Sequence, residues 1–159
     1  METFTGALAG RAERLGQALD RLTITLEDAG RYAGHLCPTV ATAFELARQG
    51  LKHLYPDQLP VRGDVSVKVH SAPDVFAHGP VGRIVGYVTG AAGQDGFRGL
   101  AGRFARAGLL RYDPEAVPFG AVTMWRADTG AGRSAFSTDP SGAEIRTGAS
   151  EPAFVGTSG

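Results

Sequence analysis

The pentapeptide Gly34-His35-Leu36-Cys37-Pro38 gathers the only cysteine of this 159-residue chain, one of its four histidines and a proline. Proline is favoured at the first position of a helix, where its missing N–H would have no intrahelical partner and its ring already fixes φ near the helical value. Cys37 is then the predicted N-cap of a helix opening at Pro38. A thiol at the positive end of a helix ionises more readily than a free one, and the thiolate is both the nucleophile and the metal-binding form of cysteine. His35, two residues earlier, can share a metal ion with it or act as its base, so Cys37 and His35 are the candidate catalytic residues. In the nucleophilic reading His78 is an alternative base, with Asp74 orienting the imidazole. Beside it stands the reading of Cys37 as a small apolar residue packed at a helix start and of Asp74 as a turn residue bonding its own loop. No acyl-transfer signature surrounds the cysteine, and whether the chain is an enzyme stays open.

A thiolate and neutral imidazoles suit zinc or another borderline first-row metal. His35, Cys37, His70 and His78 can supply two to four ligands from two loops, zinc being the expected ion; the alternative is that these imidazoles are packed or solvated. His53, next to Lys52, reads as a surface residue. Arg83 and Arg98 are solvated or hold an anionic small-molecule ligand near the same pocket. The run GAAGQDGFRG at 90–99 has the glycine content of a phosphate-cradling loop, yet it lacks the Lys-Ser/Thr ending of a P-loop and follows no clear strand, so nucleotide binding is not read from it.

The elements that must position these residues follow from periodicity. Leu8, Leu15, Leu19 and Leu22 predict an amphipathic helix over 7–22, weakened by Gly10 and Gly16. Thr25 with Asp28 has the form of a capping box opening a second helix over 26–34, which Gly34 ends. A third runs from Pro38 to about Leu54 with Phe44, Ala47, Leu51 and Leu54 as its buried stripe, so His35 and Cys37 lie at a helix-to-helix junction. Val65, Val67 and Val69 alternate with polar residues as a half-buried strand that His70 ends. A loop from Ser71 to Gly79 leads to a helix over 81–88, in which Gly82 and Gly86 share a face that another backbone can approach closely. The arginine- and glycine-rich stretch 91–108 admits a short helix. Leu109–Tyr112, Phe119–Ala127 and Arg133–Thr138 read as three strands of an antiparallel meander, the last two joined across Asp128-Thr129-Gly130. Tyr112, Phe119, Trp125 and Phe136 are then core or interface residues.

The totals narrow the function classes. Lys+Arg and Asp+Glu both number 16 and no block of like charge occurs, which argues against nucleic acid and membrane surfaces as partners. No apolar run approaches the ~18 residues of a membrane span, and the amino terminus does not read as a secretory signal. A lone cysteine cannot close an intrachain disulfide, which agrees with a reducing compartment, and a cytoplasmic location is expected. The 23 glycines are about twice the ordinary share and predict many turns. Residues 1–140 read as one domain and 141–159, poor in apolar anchors, as a flexible tail. An exposed meander edge would need covering, and a homodimer is expected.

From Leu26 to Leu54 the sequence LEDAGRYAGHLCPTVATAFELARQGLKHL resembles the opening of the FmdE family, a domain named for a component of formylmethanofuran dehydrogenase. A weaker similarity continues through VSVKVHSAPD and GRIVGYVTGA, so roughly 25–138 is covered. The resemblance implies an α+β domain with helices packed on a mixed β-sheet, like the catalytic domain of glyceraldehyde-3-phosphate dehydrogenase (GAPDH), in the order α-α-α-β-α-β-β-β. It also implies a dimer and a bound transition metal, often zinc. Of the family's His-Gly-His-x-Cys-Pro-Gly motif, His35, Cys37 and Pro38 match, while Ala33, Thr39 and, after Thr89-Gly90, Ala91 stand where the family has histidine, glycine and cysteine. The expectation is a metal-binding or small-ligand-binding FmdE-like domain with its pocket around His35 and Cys37, capable of metal-assisted catalysis on an unknown substrate. The alternative is a non-catalytic subunit or interaction module of a larger redox complex.

Overall fold

The run Arg-Leu-Thr-Ile-Thr at 21–25, in which apolar and polar residues alternate and the last three are β-branched, forms a strand rather than the end of a helix. In the computed structural model, which describes residues 3–7, 21–100, 103–126 and 135–138, strand β1 (Thr3–Ala7) pairs antiparallel with β2 (Arg21–Thr25), Phe4 opposite Ile24. This corrects the helix expected over 7–22 at both its ends, while residues 8–20 lie outside the described residues.

At Thr25 the chain turns from strand to helix without a loop. The Thr25 hydroxyl accepts from the Asp28 N–H at 3.1 Å, and the Thr25 N–H donates to Asp28 Oδ2 at 2.9 Å. This reciprocal capping box satisfies donors left over at the start of α1 (Leu26–Ala33). These donors, with the nearby Arg31 guanidinium, hold the Asp28 carboxyl below the usual carboxylate range. Gly34 ends the helix at φ 81°, a left-handed conformation that glycine adopts without a Cβ penalty. Helix α2 (Pro38–Leu54) begins four residues later and buries Val40, Ala43, Phe44, Ala47, Leu51 and Leu54 along one stripe. Its C-terminal end is closed by Arg126, whose guanidinium donates to the Leu54 carbonyl at 2.9 Å and lies 3.9 Å from the centre of the Tyr55 ring, a cation placed where the helix dipole favours one.

Strand β3 (Val65–Val69) buries Val65, Val67 and Val69 completely. Helix α3 follows at His78–Thr89, and the chain then reaches β4 (Leu110–Tyr112), β5 (Val122–Arg126) and β6 (Ala135–Thr138). The sheet order is β4-β3-β5-β6, with β4 parallel to β3 and the other neighbours antiparallel. The sheet is therefore mixed, as expected, but it is not a meander, because β3 sits between β4 and β5. A crossover through α3 makes the β3–β4 pairing parallel. The β5–β6 pair is the antiparallel neighbour expected there, with its connecting turn at 128–130 outside the described residues. Among the described residues the fold is α+β, with three helices, this four-stranded sheet and the separate β1–β2 pair; α2 and α3 pack on each other and against the four-stranded sheet. The shared core is Phe44, Ala47 and Leu51 from α2, Ile84, Val85 and Val88 from α3, and the valines and Met124 of the sheet.

No helix forms in the described part of 91–108. Gly99 and Phe104 both have positive φ, an isolated bridge joins Leu100 to Arg103, and the Gly93 carbonyl accepts from Gly96 and Gly108 instead of a helical partner. Phe119 precedes β5 and is 55% exposed, so it is neither a strand nor a core residue; Tyr112 and Trp125 are half-buried in β4 and β5. The tail 141–159 lies outside the described residues.

Candidate functional site

The α1–α2 junction puts Cys37 at the N-cap of α2 with extended backbone (φ −136°, ψ 171°), the conformation that frees its side chain to face the first turn. The sulfur closes no N-cap hydrogen bond of strict geometry. The Val40 amide nevertheless lowers the thiol's pKa most, partial burial opposes it, and the Thr39 amide and His35 lower it further. The net result is a thiol that ionises more readily than an ordinary one. His35 is exposed, its Nδ1 3.3 Å from the Ala33 carbonyl. Because a carbonyl only accepts, that contact assigns a proton to Nδ1.

Cys37 and His35 share one cleft of about 630 Å³. Tyr32 and Ala33 at the end of α1 form one wall, Thr39 and Val40 of α2 the floor, and Phe76, Ala77, Pro80, Arg83 and Ile84 around the start of α3 the opposite wall. Tyr32 stacks on Tyr87 with centroids 4.6 Å apart and planes 10° from parallel, tying α1 to α3 across the cleft's edge. Ala77 occupies the N-cap of α3 at φ 66°, a left-handed conformation that costs an alanine about 1–2 kcal/mol and that the surrounding loop imposes. Phe76 beside it is 93% exposed.

His70 and His78 are committed elsewhere. His70 is 7% exposed; its Nδ1 donates to the Pro118 carbonyl at 3.2 Å and its Nε2 is 2.9 Å from the Thr123 hydroxyl, which donates to it. Burial is the main cause pushing His70 below the ordinary histidine value, so the ring is held neutral with both nitrogens engaged. His78 Nδ1 lies 2.7 Å from the Ser71 hydroxyl, which in turn donates to the Ala72 carbonyl at 3.2 Å, and Phe119 meets the imidazole edge-on at 5.1 Å. Both contacts of Ser71 are satisfied when His78 carries its proton on Nδ1. Neither imidazole lines the Cys37 cleft, and among the described residues no three histidine, cysteine, aspartate or glutamate side chains converge on a point that could hold a metal ion. Of the four candidate ligands the structure brings together His35 and Cys37.

Asp74 is exposed and hydrogen-bonds neither imidazole among the described residues. His53, expected at the surface, is partly buried on the last turn of α2. Arg83 lines the cleft, whereas Arg98 is exposed and donates to the Gln94 carbonyl at 3.3 Å. The cleft residues that periodicity alone does not single out are Tyr32, Phe76, Ala77 and Ile84. Phe76 carries a signal, being the one aromatic hydrophobe of the loop from Ser71 to Gly79. Comparison with protein-family models, with curated proteins and with solved structures gives no match, so the chemistry of the site rests on its geometry.

Proposed function

We propose that this chain is a small-ligand-binding domain whose site is the cleft between α1, the start of α2 and the start of α3, with Cys37 and His35 as its chemically active pair. The observation that carries this reading is that the readily ionised thiol and the His35 imidazole open into the same largely apolar hollow. Such hollows, lined by aromatic and aliphatic side chains with a few convergent polar groups, are where small molecules bind.

The donor set fits a zinc-class ion in one manner. A thiolate and an imidazole are suitable ligands, but two protein donors are fewer than the four of a closed structural site or the three usual in a catalytic one. An ion held by Cys37 and His35 therefore keeps positions for groups supplied by a ligand or a second chain, and when bound it supplies Lewis-acid polarisation of a ligand oxygen. The FmdE-like and GAPDH-like assignment belongs with this reading, since two of the three residues that match the family's motif, His35 and Cys37, line the cleft. A zinc titration monitored by displacement of a chromophoric chelator tests it. Wild type takes up one ion per chain, and Cys37→Ala and His35→Ala each weaken uptake at least tenfold. Uptake unaffected by both substitutions sinks the metal reading.

The alternative of a non-catalytic subunit or interaction module of a larger redox complex, and separately the expected homodimer, are each favoured by one observation, the exposure of Phe76 (93%) and Tyr32 (50%) on the rim of the same cleft. Sedimentation of the full chain with and without Phe76→Ser decides the latter: self-association that the substitution abolishes supports an interface there, and a monomer at all concentrations excludes the homodimer.

A further inference from the structure

A second cavity, of about 500 Å³, shares Tyr32 and Arg83 with the first and is lined by α3 and the glycine-rich run that follows it. Three arginines line it, Arg62, Arg83 and Arg106. Arg62 is pinned: one terminal nitrogen donates to the Tyr87 carbonyl at 2.7 Å, and its side chain passes so close to Gly90 that a Cβ there would lie 2.7 Å from Arg62 Cγ. Its Nε is buried and has no hydrogen-bond partner among the described residues. The Arg62 bond to the last turn of α3 explains one of its five donors, since a cation at a helix C-terminus is favourable. It does not explain why Arg106 is placed beside it.

Arg62 and Arg106 are partly buried and Arg83 is exposed, and like charges brought together with part of their hydration removed are costly unless an anion or a carboxylate compensates them. None of the three arginines forms an ion pair with a described residue, and the acidic side chain in the lining, Asp95, is exposed and bonds none of them. Burial first, and the Arg106 charge second, lower the pKa of Arg62, as expected of a cation that lacks its counter-charge. Gly90, Gly93 and Gly96 line the cavity as well, Gly90 packed directly against the Arg62 side chain, and together they form a glycine-rich wall. This is the same run whose glycine content suggests a phosphate-cradling loop and whose sequence lacks the P-loop ending.

We propose that this cavity is an oxyanion-binding site, in which Arg62 and Arg106 grip a phosphate or carboxylate group against the glycine-rich wall. Guanidinium groups match such oxyanions with paired, charge-assisted hydrogen bonds. Because Tyr32 and Arg83 line both hollows, the site defines the class of molecule the neighbouring cleft takes: one with an apolar or aromatic body and an anionic end. To that extent it deepens the ligand-binding reading, but the anion site itself does not depend on Cys37.

Inorganic phosphate titrated into the full chain at constant ionic strength, followed by 31P line broadening and by the shift in thermal midpoint, tests the proposal. Wild type binds saturably, and Arg106→Gln, which leaves the Arg62–Tyr87 bond in place, weakens binding at least tenfold. Arg98→Gln, outside the cavity, leaves it unchanged, and Arg106→Lys restores part of the loss. Acetate replacing phosphate at similar concentration marks a carboxylate occupant, and its failure to compete marks a phosphate; both support the site. No saturable binding of either anion, equal binding by Arg106→Gln, or equal loss in Arg98→Gln overturns it. The readout uses neither metal nor thiol reagent, so its failure is distinguishable from failure of the Cys37–His35 assignment.

Discussion

At position 37 a single sulfur meets two main-chain amides and a neighbouring imidazole, and that environment, not cysteine as such, makes the residue a candidate for chemistry. The pentapeptide makes this much legible, because a proline at the first helical position fixes which residue caps the helix. The fate of His70 and His78 is not legible. Each is decided by a contact distant in sequence or by a loop that closes on itself: His70 by Pro118 and Thr123, His78 by Ser71. The buried neutral state of His70 has a pH consequence. Its folded pKa lies below that of the unfolded chain, about 6.5 for an ordinary histidine, so in acid the unfolded state binds the proton first. The stability it contributes is complete above that value and is lost as the pH falls through the folded pKa. Urea denaturation midpoints measured from pH 8 down to pH 5 should therefore decline in wild type, and His70→Asn should flatten that decline; an unchanged slope would show that the ring is not held neutral.

Helix α2 and strand β3 are readable because burial follows one period over their length, 3.6 residues in the first and two in the second. The amino-terminal segment misleads because its leucines mimic helical spacing, whereas the alternating Thr23, Ile24 and Thr25 carry the strand signal and pairing with β1 supports it. In α3 the shared face of Gly82 and Gly86 is a place of close approach, as their spacing predicts, although the two meet different things. A Cβ on Gly86 would lie 2.6 Å from the Ala91 carbonyl oxygen, while Gly82 faces the ring and hydroxyl of Tyr112, which donates to the Gly79 carbonyl at 3.1 Å. Gly86→Ala should cost about 1–3 kcal/mol, because backbone cannot yield as a flexible side chain does; a midpoint within error of wild type in chemical denaturation would contradict the packing. Ala77→Gly works in the opposite direction. Relief of the left-handed alanine exceeds the added freedom of the unfolded chain, for a net gain of roughly 0.5 kcal/mol, and a destabilised variant would mean that the Ala77 methyl makes contacts worth more than the strain.

At the scale of the whole molecule, the α+β class is legible and the strand order is not. Sequence neighbours suggest a meander, but β3 enters between β4 and β5 because α3 carries the chain across the sheet and returns it parallel to β3. The same crossover sets the start of α3 opposite the start of α2, and the cleft is the space between them. Among the described residues no helix is long and apolar enough to cross a membrane. Since the cleft exists only when α1, α2 and α3 are assembled, the reactivity of Cys37 is a property of the folded chain. The most direct measurement is the rate of Cys37 alkylation against pH, in buffer and in denaturing urea. The folded chain is expected to show its inflection below the ~8.5 of a free thiol and the unfolded chain at about that value, with His35→Ala raising the folded inflection; coincident inflections in the two states, or a folded value above the unfolded one, would contradict the assignment of this cleft as the site.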